Sequence, residues 1–183
     1  MLIGISGTLG SGKGTVVEYL KQKGFKHYSG SGYLKEVIVA RGENVDRDAY
    51  SKLAGEIREK DPAGLSRILY ERILADGAPD VIMEALHDVG EAEFAKDKGG
   101  ILLGIDADIP VRYERVVARG SEKDQITFED FKRQILREEE GAGHHHIHAV
   151  LKMADHIIMN NGTVEELHQA VDTWLAKVEV TSK

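Results

Sequence analysis

Gly7-Thr8-Leu9-Gly10-Ser11-Gly12-Lys13-Gly14-Thr15 constrains this chain more than any other stretch. It lies between a short apolar run, residues 2–6, and residues 15–23, where Val16, Val17 and Leu20 share one face. The first reads as a buried strand and the second as a helix stopped by Gly24. Strand, glycine-rich turn and helix, in that order, form the setting that a phosphate-gripping loop requires. Glycines permit the dihedrals that turn backbone N–H groups toward an anion, and they let the backbone approach it closely. The helix start adds unpaired N–H donors and a positive dipole end. Gly7, Gly10, Ser11, Gly12, Lys13, Gly14 and Thr15 are therefore the expected binders of a polyphosphate. Lys13 offers a point charge to β- and γ-phosphates. The Thr15 hydroxyl suits Mg²⁺ or a phosphate oxygen.

Beyond the loop, short apolar runs alternate with helical spacing. Residues 25–29, Val81-Ile82-Met83 ending at Glu84, 101–105 ending at Asp106, and Ile157-Ile158-Met159 read as strands. After the break Gly30-Ser31-Gly32 a helix is expected to about Arg41. Another follows Asp46, with Tyr50, Leu53, Ala54 and Ile57 on one face, and another begins at Asp61-Pro62 with the proline at its first position. Further helices are expected over 91–98, from Pro110 through Arg119, from a capping signal at Thr127 to about Glu139, and from a second one at Thr163. Trp174 falls on the apolar stripe of the last helix and reads as core rather than as a stacking platform. The pattern predicts an α/β fold in one domain, 1–183: a three-layer α/β/α sandwich around a five-stranded parallel sheet. Residues 30–76 are helical and 120–148 are polar, and both interrupt the alternation. Each is a candidate mobile sub-structure over a site at the strand carboxyl ends.

Composition excludes several classes. The 183 residues contain no Cys, so disulfide scaffolds and thiol catalysis fall away. With 24 Lys and Arg against 31 Asp and Glu, the net charge is −7, which disfavours a nucleic-acid partner. No apolar run approaches a membrane span, and no basic segment precedes the N-terminal apolar stretch as in a signal peptide. A cytoplasmic protein, monomeric or homodimeric, is expected.

In the strict loop motif a hydroxyl residue directly follows the lysine, whereas here Gly14 intervenes. That displaced form resembles the loop of nucleoside monophosphate kinases such as adenylate kinase. Ser29-Gly-Ser-Gly-Tyr-Leu34-Lys35 resembles the segment that opens their acceptor-binding helices. Val111-Arg112-Tyr-Glu-Arg115-Val-Val-Ala-Arg119 resembles the arginine-bearing helix entering their lid. Ala154-Asp155-His-Ile-Ile-Met-Asn160-Asn161-Gly162, with Val164-Glu-Glu-Leu167, is similar to the C-terminal segment of dephospho-CoA kinases. The resemblance implies a P-loop kinase fold, with 30–76 as acceptor-binding region and 120–148 as lid. It also implies ATP and Mg²⁺, with the γ-phosphoryl passing to a small nucleotide, most simply a nucleoside monophosphate. On it, Lys13, Arg119, Arg133 and Arg137 are the catalytic cations, and Asn160 joins the nucleotide binders. Glu84 would hold Mg²⁺ through water with Thr15, with Asp106 the other strand-end acid. Ser29, Lys35, Arg41 and His87 would meet the acceptor. Arg133 and Arg137 lie four apart on one helix face, where they also suit surface pairing with Glu129, Glu138 or Glu140.

The chain departs from the adenylate kinase pattern at the acceptor. Gly32 and Lys35 stand where that family has Asp and Arg, and His87 stands where it has Arg. Lysine lacks the bidentate fork, and a neutral histidine donates one hydrogen bond. Dephospho-CoA kinases phosphorylate a hydroxyl and use an Asp base near the second strand, where this chain has Gly32. A nucleoside monophosphate presents an oxygen already ionised, which needs no base. Glu36, one turn on, keeps transfer to a ribose hydroxyl as the alternative, and a nucleotide-binding module without catalysis is the third reading. The run His144-His145-His146-Ile147-His148 lacks supporting ligands and reads as a polar loop beside the lid rather than a metal site.

Overall fold

The computed structural model describes residues 1–84, 86–120, 126–139 and 146–181. Among them run β1 (Leu2–Gly7), α1 (Lys13–Gln22), β2 (Lys26–Ser29), α2 (Gly30–Ala40), α3 (Arg47–Lys60), α4 (Gly64–Asp76), β3 (Val81–Glu84), α5 (Val89–Asp97), β4 (Ile101–Asp106), α6 (Ile109–Arg119), α7 (Phe128–Glu139), α8 (Ile147–Met153), β5 (His156–Met159) and α9 (Val164–Thr181). The Arg137 side chain, His144 and His145 lie outside the described residues.

The strands pair in parallel in the order β2-β3-β1-β4-β5. β1 is thus central, with Gly4 opposite Met83 on one side and Leu102 on the other. Alternation along each strand feeds two cores, as expected of a parallel sheet covered on both faces. Ile3, Ile5, Ile82, Leu103, Ile105 and Ile158 face α1 and α9, where Val16, Leu20, Val171 and Trp174 complete one core. Val81, Met83 and Leu102 face the other way, onto Leu34, Ile38, Leu53, Leu65 and Leu69 of α2, α3 and α4. Burying each such side chain contributes about 1.5–3 kcal/mol. A third cluster, Val116, Phe131 and Ile135, joins α6 to α7. No helix among the described residues is long and apolar enough to cross a membrane.

The expected α/β sandwich is observed, with three local differences. Gly30-Ser31-Gly32 is not a break but the first turn of α2, because the Ser29 hydroxyl caps it by accepting from Gly32 N at 3.2 Å. Pro62 does not open α4. Asp61 accepts from Ala63 N through its side chain (2.9 Å) and from Gly64 N through its carbonyl (2.8 Å), and that turn delays the helix to Gly64. Ile147–Met153 is helical, although its first two residues fall in the stretch read as a polar loop and the rest carries no expected element. At seven residues it is too short to display a period, and it forms because buried Val150 and Leu151 pack under the sheet. The caps at Asp46 and Thr163 are formed as expected: Asp46 accepts from Ala49 N at 2.9 Å and Thr163 from Glu166 N at 3.2 Å.

Candidate active site

β1 ends at Gly7 in the middle of the sheet, so the loop it feeds opens at the strand carboxyl ends, flanked by Glu84 of β3 and Asp106 of β4. Gly10 (φ +80°) and Gly12 (φ +90°) adopt left-handed backbone that other residues rarely reach. Gly12 begins α1 without a side-chain cap, and no acid stands in the first turn of that helix. Its early N–H groups are thus left for an anion. The buried Ser11 hydroxyl has no hydrogen-bond partner among the described residues. A chain of phosphates fits these features, and the oxygen donors of Thr15 and Glu84 suit a hard cation such as Mg²⁺.

Lys13 forms a salt bridge with Glu84, and the other Glu84 oxygen accepts from His27 Nε2 at 2.8 Å. β2 pairs with β3 so that Ser29 stands opposite Glu84, which brings His27, two residues earlier, into range. Burial lowers the Lys13 ammonium from 10.5 to about 8, while the adjoining Glu84 carboxylate favours its charged form. Burial, followed by the charges of Lys21 and Lys13, lowers His27 and keeps it a neutral donor. The sequence offered no sign of His27, since a lone histidine in a short strand carries no pattern.

On the other side, Asp106 accepts from the Thr8 hydroxyl at 2.6 Å and from Ala107 N at 2.9 Å. Arg112, 2% exposed, donates from Nε to the Leu9 carbonyl at 2.9 Å. Asn160 is buried and donates from Nδ2 to the Ser11 carbonyl at 2.8 Å, so its amide is spent on the loop itself. Arg115 donates to the Asn160 carbonyl at 2.8 Å and to that of Gly162 at 3.2 Å. Arg112 and Arg115 stand in the motif of α6, but their spacing alone does not show that both turn toward the loop.

The expected acceptor residues lie on the β2–β3 side. Ser29 caps α2, and its hydroxyl sits 2.9 Å from that of Ser31. Lys35 is exposed. Arg41 lies 3.3 Å from Glu56 and 3.9 Å from Glu43. Glu36 is turned to Arg72 at 2.8 Å. His87 follows β3 in a loop fixed by Glu91, which is fully buried and accepts from His87 N (2.8 Å), Asp88 N (3.1 Å) and Arg58 Nε (2.9 Å). His146 N donates to the His87 carbonyl at 2.8 Å, and its ring lies 2.8 Å from Asp88. No cluster of three or more His, Asp or Glu among the described residues is arranged to hold a metal.

Arg119 is exposed at the end of α6. Arg133 is exposed on α7 and pairs with Asp130, not with Glu129. The structure therefore brings Lys13 and Glu84 together beside the loop, whereas Arg133 pairs with Asp130 and Arg119 is exposed at the end of α6.

The profile of a family described as AAA domain matches residues 3–137. A protein named UPF0200 protein from Thermococcus gammatolerans is 27% identical over 187 residues, spanning 97% of this chain and 95% of its own. One named dephospho-CoA kinase from Fusobacterium nucleatum is 26% identical over 201 residues, spanning 95% of this chain and 96% of its own. The solved shikimate kinase of Bacteroides thetaiotaomicron superimposes with a TM-score of 0.61 at 16% identity, covering 96% of this chain and 98% of that one. At that identity the likeness is one of fold, and the fold is P-loop kinase-like.

Proposed function

This chain belongs to the AAA domain family, and from that premise we propose that it is an ATP-dependent kinase acting on a small nucleotide, a nucleoside monophosphate above all. The observation that carries the reading is Lys13 meeting Glu84 beside an uncapped helix start at the strand carboxyl ends. On this reading the loop amides and Lys13 take the β- and γ-phosphates, and Lys13 exchanges Glu84 for phosphate. His27 keeps Glu84 in place. Mg²⁺, held by Thr15 and through water by Glu84, would neutralise phosphate charge. An ionised acceptor oxygen bonds the γ-phosphorus while the bond to the bridging oxygen breaks, and ADP leaves with that electron pair. No proton has to move. Arg119, Arg133 and Arg137 approach the transferring group from the 120–148 side and help exclude water. Ser29, Lys35, Arg41 and His87 orient the acceptor from the 30–76 side.

The β2 exit supports an acceptor that needs no base. Ser29, Ser31 and Gly32 provide no carboxylate, and Glu36 is engaged with Arg72 on the surface. Glu36→Gln is therefore expected to leave kcat within about twofold, where loss of a general base costs on the order of 10²–10⁴. ADP release measured across ribo- and deoxynucleoside monophosphates and dephospho-CoA tests both points. No turnover on any monophosphate would refute the preferred acceptor. The relative named dephospho-CoA kinase favours the second reading, transfer to a ribose hydroxyl. Turnover of dephospho-CoA abolished by Glu36→Gln would establish it instead.

A further inference from the structure

We propose that Arg112 and Asn160 are positioning residues that set the phosphate loop in its gripping shape before nucleotide arrives, each by holding one loop carbonyl from outside. The inference rests on the reading that this loop binds a polyphosphate. In a trans peptide the carbonyl of one residue and the N–H of the next point in opposite directions, and the loop peptides are trans. Arg112 Nε holds the Leu9 carbonyl, so the Gly10 N–H is aimed away from Arg112. Asn160 Nδ2 holds the Ser11 carbonyl, so the Gly12 N–H is aimed away from Asn160. Two anchors thus orient two amides, at alternate positions of the loop.

Both anchors are themselves held. The Arg112 guanidinium lies 3.7 Å from Asp106 and 5.9 Å from the Phe131 ring centroid. Asn160 N donates to the Asp106 carbonyl at 2.7 Å, and Arg115 Nη2 lies 3.4 Å from Asn160 Oδ1. That contact assigns Oδ1 to Arg115 and leaves Nδ2 for Ser11. The fit is also close: a Cβ at residue 12 would stand 2.4 Å from Asn160 Nδ2, and one at residue 10 would stand 2.5 Å from the Arg112 carbonyl. Glycine at 10 and 12 therefore admits the two anchors as well as the left-handed backbone. Carbonyls released from them are free to turn their negative ends toward the ligand. Orienting the loop at folding spares that ordering at binding.

Asn160→Asp tests this with almost no change in volume, since it replaces the donor facing the Ser11 carbonyl by an acceptor. Arg112→Gln removes the guanidinium, and Arg112→Lys replaces it if the glutamine variant does not fold. Amide hydrogen exchange over residues 8–14 of the nucleotide-free protein, and calorimetry with Mg·ATP well below the melting temperature, are the measurements. Faster loop exchange and about tenfold weaker ATP binding are expected in each folded variant. A lower melting temperature with loop exchange and ATP affinity unchanged would reduce both residues to structural parts and overturn the proposal. If wild-type protein binds no ATP, the kinase reading falls, while the exchange comparison still decides whether the anchors shape the loop.

Discussion

Lys13→Ala is expected to lower kcat/KM for ATP by on the order of 10²–10³, the usual cost of deleting one preorganised group that meets developing charge. The lysine is placed for it: most of its surface is buried, it stands at the first position of α1, and among the described residues it pairs with Glu84. Lys13→Arg is not expected to restore activity, because a planar fork does not replace a compact point charge in a site this enclosed. The free enzyme holds this ammonium at about 8, so wild-type kcat/KM should fall as pH rises through that value. The stability effect runs the opposite way. The folded value lies below the unfolded 10.5, so between about 8 and 10.5 the unfolded chain binds more protons. Stability therefore rises with pH across that window, and Lys13→Met should abolish the rise. Assays of ADP release against pH, with denaturation curves of both proteins, check the two signs. Unchanged kinetics in a folded Lys13→Ala protein would remove the nucleotide site from this loop.

Glu91→Ala is the second large effect: a loss of about 3–5 kcal/mol of folding stability, read by chemical denaturation. Three donors converge on this carboxylate, Arg58 Nε and the amides of His87 and Asp88, and alanine strands all of them in a buried place. Burial raises the Glu91 carboxyl above its ordinary value, even against Arg58 and the two amides. Just above the unfolded value of 4.5 the folded protein holds the extra proton, so stability falls as pH rises through that window. Burial thus works against ionising this carboxyl, and removing it altogether strands its buried donors at a larger cost. Glu91→Leu combined with Arg58→Met should accordingly recover much of the loss. Kinetics should report the same residue differently. Loosening the loop that carries His87 is expected to raise KM for the acceptor more than KM for ATP.

Features encoded locally were legible. Glycines next to a lysine, after an apolar strand and before a helix, mark a phosphate loop wherever the chain goes next, because the dihedrals and donors are properties of those residues. The caps at Asp46 and Thr163 are equally local, each closing over three residues. Glu84 and Asp106 were readable as strand ends, since a carboxylate after an apolar run marks a sheet edge. Residues 147–153 were not readable as a helix, because burial rather than period makes them one.

By itself, then, the sequence determined the alternation of strands and helices, the glycine-rich grip and the absence of a carboxylate after the second strand. Only the tertiary structure decided what surrounds that grip. His27 reaches Glu84 across 57 residues, Arg112 reaches the Leu9 carbonyl across 103, and Asn160 reaches the Ser11 carbonyl across 149. Hydrogen bonds act over about 3 Å, so such partners exist only once strand order has set them side by side. That order, with β1 between β3 and β4, is a choice among packings that no local spacing records.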